Sequence, residues 1–153
     1  KLEYQLAVAQ RASKKRRVAA IHAKISNTRK DFLHKTSTVI ADRFDLIVVG
    51  NVSAKWQMAT NGKSAADASW ASFRNMLRYK AIARSAAYVD GSEYLTTQTC
   101  SDCESIGGPK GTEGLEIRGW TCSECGAVHD RDVNAARNIL RLGRQALAEG
   151  ALA

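Results

Sequence analysis

The chain has 153 residues, with 23 Lys and Arg against 15 Asp and Glu, a formal charge of +8 and a sequence pI near 9.6. That length accommodates one ordinary domain plus a small appended module, and base in this excess points to a polyanionic partner such as nucleic acid. No apolar run reaches the roughly 20 residues that cross a bilayer, which excludes a helical membrane span, and no secretory signal is present. A cytoplasmic protein without a membrane partner is expected. The chain begins at Lys1 rather than Met, which suggests a sequence that starts inside a longer protein.

The charge is uneven. Residues 1–45 carry eleven Lys and Arg against four Asp and Glu, so nearly all of the excess lies at the front. From Leu2 to about Arg43 there is no Pro or Gly, and apolar residues recur near helical period at Val18, Ile21, Ile25, Phe32, Val39 and Ile40. This reads as one long helix or an antiparallel pair broken near Ala12-Ser13, with Ser13 capping the second helix. Lys14, Lys15, Arg16 and Arg17 circle that helix and suit phosphate contacts that add affinity without reading sequence; a solvated basic face is the plainer alternative. His22 and His34 have no partner at ligand spacing.

Asp45 to Asn51 is a short β-branched run closed by a turn signal, which predicts a buried central strand. Residues 53–63, with Lys55, Trp56 and Asn61, have no period and read as a loop. Ser64 can cap a helix to about Ala83, with Trp70, Phe73, Leu77 and Met76 on its buried face. Ala86 to Val89 reads as a second strand and Asp90-Gly91-Ser92-Glu93 as the turn after it. Strand, helix, strand implies a parallel crossover. Ligands gather beyond the carboxyl ends of such strands, which places Gly50, Asn51, Asp90 and Glu93 near one edge.

The next stretch carries two Cys-x-x-Cys pairs, Cys100 with Cys103 and Cys122 with Cys125, separated as in zinc ribbons. Four thiolates close a tetrahedron around zinc (Zn2+), and Gly126 suits the left-handed turn after the second pair. Disulfides are the alternative, but nothing marks the chain as secreted. Trp120 is expected to pack on the metal knuckle, and His129 is surplus to a complete four-thiolate set. Beyond it Asp130 and Asp132 open a helix with Val133, Ala136, Ile139 and Leu140 at helical spacing. Capping explains one acid; a divalent-metal ligand is the sharper reading of the other. The Ala- and Gly-rich tail after Leu142 is expected to fray.

Five segments then carry a resemblance: Val-Val-Gly-Asn-Val-Ser, the Trp70 to Lys80 helix, Thr-Thr-Gln-Thr-Cys-Ser-Asp-Cys, Trp-Thr-Cys-Ser-Glu-Cys-Gly and His-Asp-Arg-Asp-Val-Asn-Ala-Ala-Arg-Asn-Ile-Leu. Together they resemble the C-terminal part of TnpB-type proteins, transposon-encoded RNA-guided DNA nucleases related to compact CRISPR effectors. The likeness spans almost all of residues 2–142. It implies an α/β chain: a partial RuvC-like RNase H fold (45–94 and 130–147), an inserted four-cysteine zinc ribbon (95–129) and a basic N-terminal helical hairpin (1–44). It also implies DNA and a guide RNA as partners, and three carboxylates holding magnesium (Mg2+) at a phosphodiester.

By position Asp132 matches the last of these acids, and the first belongs on a strand that precedes Lys1, so this chain alone is expected not to cut DNA. The middle acid departs from the pattern, because the family commonly has Glu where this sequence has Gly50. Either the site is dead and the protein only binds under a guide, or Glu93 supplies the carboxylate from the neighbouring strand, as some similar sequences do. A zinc-ribbon DNA-binding module without either acid is a third reading.

Overall fold

A computed structural model describes residues 1–51, 69–111 and 113–150. The loop expected at 53–63, Trp56 and a helix start at Ser64 lie outside them.

Two helices open the chain, α1 (Leu2–Arg11) and α2 (Lys15–Arg43). Leu2 and Glu3 line one groove with Ile25, Thr28 and Phe32, whereas Ala12 lines another with Lys14 and Arg17, so the pair is antiparallel. The break falls where the sequence placed it, but Ser13 is no cap. It takes φ +52° in the turn, and Lys14 precedes α2 without a side-chain cap bond. The buried stripe of α2 is Ile21, Leu33, Ser37 and Ala41, while Phe32 and Val39 face outward.

Strands β1 (Leu46–Gly50) and β2 (Ala87–Gly91) pair in parallel, Leu46 opposite Ala87 and Gly50 opposite Gly91, and are joined through α3 (Trp70–Ala83). Successive side chains on a strand face opposite ways, and the two faces meet different helices. Ile47 and Val49 join Ala41 of α2 and Leu77 and Ala81 of α3 in the apolar core, with Trp70 and Phe73 packed against it. Val48 faces the last helix, α4 (Arg131–Ala148), where a Cβ at Gly143 would lie 2.5 Å from its Cγ2. The chain thus builds three layers, α2 and α3, then the sheet, then α4. The expected fraying after Leu142 is corrected: Gly143 is buried because its bare backbone lets α4 close on Val48, and the helix continues to Ala148.

Lys80 is buried in the seam between α2 and α3. Its Nζ donates to His34 O at 2.6 Å, Thr38 Oγ1 at 2.7 Å and Ser37 Oγ at 2.8 Å, so all three ammonium donors are used. Burial first, and Arg84 second, lower its pKa.

Between β2 and α4 runs an excursion with a short 3-10 turn (Glu113–Leu115) and an antiparallel pair, β3 (Gly119–Thr121) and β4 (Val128–Asp130). No helix among the described residues is long and apolar enough to cross a membrane.

Candidate functional site

The four cysteines converge. Their sulfurs all lie within 4.8 Å of one another, with Cys100 to Cys125 and Cys103 to Cys122 both at 3.7 Å. A tetrahedral zinc with bonds of about 2.3 Å has sulfur–sulfur edges of about 3.8 Å, so these two edges match that ion and the soft donor set suits it chemically.

Two knuckles of the same backbone pattern create this geometry. In the first, Cys100 N–H donates to Ser105 O at 2.8 Å and Glu104 N–H donates to Cys100 O at 2.9 Å. In the second, Cys122 N–H donates to Ala127 O at 2.9 Å and Gly126 N–H donates to Cys122 O at 3.0 Å. Each knuckle needs a left-handed residue: Gly126 at φ +74°, as the sequence indicates, and Glu104 at φ +63°, which carries a side chain where glycine is favoured.

The thiols compete for protons. Cys122 is brought down to about 6, first by the hydrogen bond from Ser105, whereas Cys125 is pushed up to about 12. For Cys125 the Ala127 backbone bond lowers the value, but the neighbouring thiol of Cys103 and burial outweigh it. Crowded sulfurs cannot all ionise alone, and a divalent cation replaces their shared protons.

The ribbon is fastened to α4 by two asparagines that sequence reasoning missed. Asn134 Nδ2 donates to Thr99 O at 2.8 Å and Thr96 O at 3.2 Å, and its Oδ1 accepts from Ser101 N–H at 2.9 Å. One helical turn on, Asn138 Nδ2 donates to the same two carbonyls at 2.7 and 2.9 Å. Both side chains are fully buried on α4. Two asparagines at i, i+4 with no apolar residue between them on that face were the available signal.

Glu93 lies in the turn after β2, where its carbonyl accepts from Thr96 Oγ1 at 3.0 Å. Its side chain folds back over β1. A Cβ built on Gly50 would overlap Glu93 Oε1 and would lie 2.5 Å from its Cδ and 2.7 Å from its Cγ. The Glu93 carboxylate therefore fills the space that a side chain at Gly50 would enter, on the sheet face that meets α4.

Asp132 sits on the first turn of α4. Asp130 is the cap, its Oδ1 accepting from Val133 N–H at 2.9 Å and Asp132 N–H at 3.0 Å, which leaves the Asp132 carboxylate free of capping. Arg118 Nη1 holds it at 3.0 Å, with both side chains largely exposed. Such a pair contributes at most about 1 kcal/mol, so the carboxylate is readily released to another cation.

The direction of α4 relates the two acids. Val48 packs on Gly143, while a Cβ at Gly91, which pairs with Gly50 in register, would lie 3.1 Å from Ile139 Cγ2. The helix thus runs antiparallel to the strands, and its N-terminus points past their carboxyl ends. Asp132 precedes Ile139 by seven residues, about 20° short of two full turns, so it lies on the same helix face. Both acids thus lie toward the carboxyl ends of the strands, Glu93 in the turn after β2 and Asp132 at the start of α4. Asp90 lies at the same end of β2 but on the opposite sheet face, toward α3, where Arg74 Nη2 donates at 2.5 Å and Arg78 also pairs with it. Lys14, Lys15, Arg16 and Arg17 are all exposed around the start of α2.

A partial RuvC-like α/β layer with a four-cysteine cluster fitting a zinc ribbon is the class that this architecture defines. Residues 70–139 match the family described as Cas12f1-like, TNB domain, and residues 3–60 the one described as a probable transposase. A putative RNA-guided DNA endonuclease of Streptomyces pristinaespiralis is 40% identical over 93% of this chain and 35% of that protein. The TnpB-like protein L79 of Acanthamoeba polyphaga mimivirus is 35% identical over 80% of this chain and 24% of that protein. In structure the chain is similar to Cas12f1 as seen in the cryo-EM structure of the Cas12f1-sgRNA-target DNA complex, with a TM-score of 0.67, 18% identity, and 90% of this chain and 40% of that one covered. By these matches the chain is similar to TnpB-type proteins. It spans about a third of the length of the Streptomyces relative and about a quarter of the mimivirus one.

Proposed function

We propose that this chain is the RuvC-like and zinc-ribbon part of a magnesium-dependent, RNA-guided DNA endonuclease. Its nuclease core is formed by 45–94 and 130–147, its ribbon by 95–129 and its basic helical segment by 1–44. The observation that carries this reading is the Glu93 carboxylate lying where a side chain at Gly50 would lie. A two-metal phosphodiesterase needs carboxylates at fixed points in space, and a neighbouring parallel strand supplies one at that point.

Glu93 and Asp132 are the residues proposed to hold magnesium, whose chemistry when bound is to polarise the phosphodiester and activate water. The chain's own contribution is positional. The Glu93 turn and the start of α4 present both acids at one edge, and Asn134 and Asn138 hold the intervening Thr96–Ser101 segment against the helix. Two of the three carboxylates of the family pattern are assigned within this chain, so cleavage is to be read in the complete protein. Lys14, Lys15, Arg16 and Arg17 contact phosphates of the guide RNA or target DNA. The four cysteines hold structural zinc.

The test is an exchange of acids in the complete protein loaded with guide RNA. Glu93→Ala lowers target cleavage by about a hundredfold or more, and adding Gly50→Glu to that variant restores it. Cleavage that survives Glu93→Ala would falsify the assignment. A parent protein that binds target but never cuts would instead support the alternative, a guide-directed DNA-binding protein, which Gly50 favours.

A further inference from the structure

Next to the cysteine cluster lies a side chain that ligation does not require. His129 is 3% exposed, and its Nε2 is 3.1 Å from the Sγ of Cys100, itself fully buried. The ring is held from its other side: its centroid is 4.8 Å from that of Trp120, its partner across the β3–β4 pair. The indole and the sulfur together define where the imidazole lies.

The separation distinguishes two roles. A histidine sharing a tetrahedral zinc with a thiolate, with bonds of about 2.0 and 2.3 Å, would place its nitrogen about 3.5 Å from that sulfur. The observed 3.1 Å is shorter, and the four sulfurs already complete the tetrahedron. At this distance the two atoms share a hydrogen bond, and a metal-bound thiolate carries no proton, so toward it the ring nitrogen is the donor. Four thiolates around a dication leave an excess of negative charge in a partly dry site, where a neutral donor on one sulfur stabilises the loaded state. Ser105 Oγ occupies a matching place on the opposite side, 3.1 Å from Cys103 Sγ and 3.2 Å from Cys122 Sγ.

We infer that His129 is a positioning residue of the metal centre: its Nε2–H donates to the Cys100 thiolate, orients that sulfur and strengthens the hold on the metal. The residue that follows, Asp130, caps α4, so the same ring ties the metal to the first turn of the helix that carries Asp132. This inference does not depend on the nuclease reading, since it concerns the ribbon alone.

The experiment uses the 153-residue protein with Co2+ as the probe, titrated against a competing chelator and followed by the sulfur-to-cobalt absorption. His129→Phe keeps the packing on Trp120 and removes the donor, and its affinity for Co2+ is expected to fall about 10- to 100-fold. His129→Gln, which retains an N–H donor, recovers part of that loss. An affinity for His129→Phe within twofold of the parent overturns the inference, as does a parent cobalt spectrum showing three sulfurs and one nitrogen. Nitrogen NMR of the parent loaded with cadmium needs no variant to fold: the proton is expected on Nε2, and a ring carrying it on Nδ1 alone overturns the inference.

Discussion

The two halves of this molecule are held together by opposite means. Around β1 and β2 the interior is apolar, with Ile47, Val49, Leu77, Ala81 and Ala86 closing on one another. In the ribbon the buried groups are Cys100, Cys122, Thr96 and His129, met from α4 by the buried Asn134 and Asn138. Apolar burial is spread over many side chains and fails gradually, whereas a thiolate cluster concentrates stability in one ion. The sheet should therefore outlast the ribbon when metal is withdrawn.

The largest effect tests that contrast directly. Chelation, or Cys122→Ser, removes a contribution on the order of 10 kcal/mol at the ribbon. Hydrogen exchange should show amides of 99–129 losing protection while those of Ile47, Val49 and Val89 keep theirs. Equal loss in both places would make the molecule one cooperative unit and end the contrast.

A smaller effect perturbs the other side. Gly143→Ala would put a methyl 2.5 and 2.6 Å from the two γ-carbons of Val48, and overpacking of this kind costs about 1–3 kcal/mol. The denaturation midpoint of the sheet should fall while Co2+ affinity stays unchanged; a weakened metal site would show that α4 transmits strain between the halves.

The smallest effect is electrostatic. Burial raises the Asp90 pKa, but the hydrogen bond and charge of Arg74, helped by Tyr88 and Arg78, outweigh it and hold the carboxyl below its ordinary value. Below that ordinary value the unfolded chain binds the proton more readily. The contribution is therefore complete above the unfolded pKa of about 3.9 and is lost as pH falls through the lower folded value. Asp90→Asn should cost no more than about 1 kcal/mol at neutral pH and flatten the acid limb of the stability profile of the sheet. An unchanged limb would assign the ion pair no energetic role.

What the sequence disclosed follows the same division. The parallel strands were legible because a run such as Leu46 to Val49 has few other uses, and the metal ribbon because paired cysteines are costly to arrange by chance. Polar burial was not legible. Asn134, Asn138 and Lys80 look like surface residues until the carbonyls that receive them are in place, and those carbonyls come from segments 35 to 46 residues away in the chain. Glu104 hid a left-handed turn that glycine would have announced. On α2 the period was right but the buried face was read only in part: Ile21 is buried and Ile40 packs on the core, whereas Phe32 and Val39 are exposed and Leu33, Ser37 and Ala41 take the inner side. For the acids, the sequence offered Glu93 in one of three readings, and only the fold-back over Gly50 gives its side chain a definite place.

That fold-back bears on how relatives of this chain are sorted. Gly50 and Gly91 stand side by side in register, so whatever projects just beyond either strand reaches one common volume. A lineage can drop an acid from the first strand once the second has gained one, and glycine at the vacated position is then what makes room for the newcomer. Judged by a single alignment column, such a protein would be filed as inert; judged by the volume, it keeps its carboxylate.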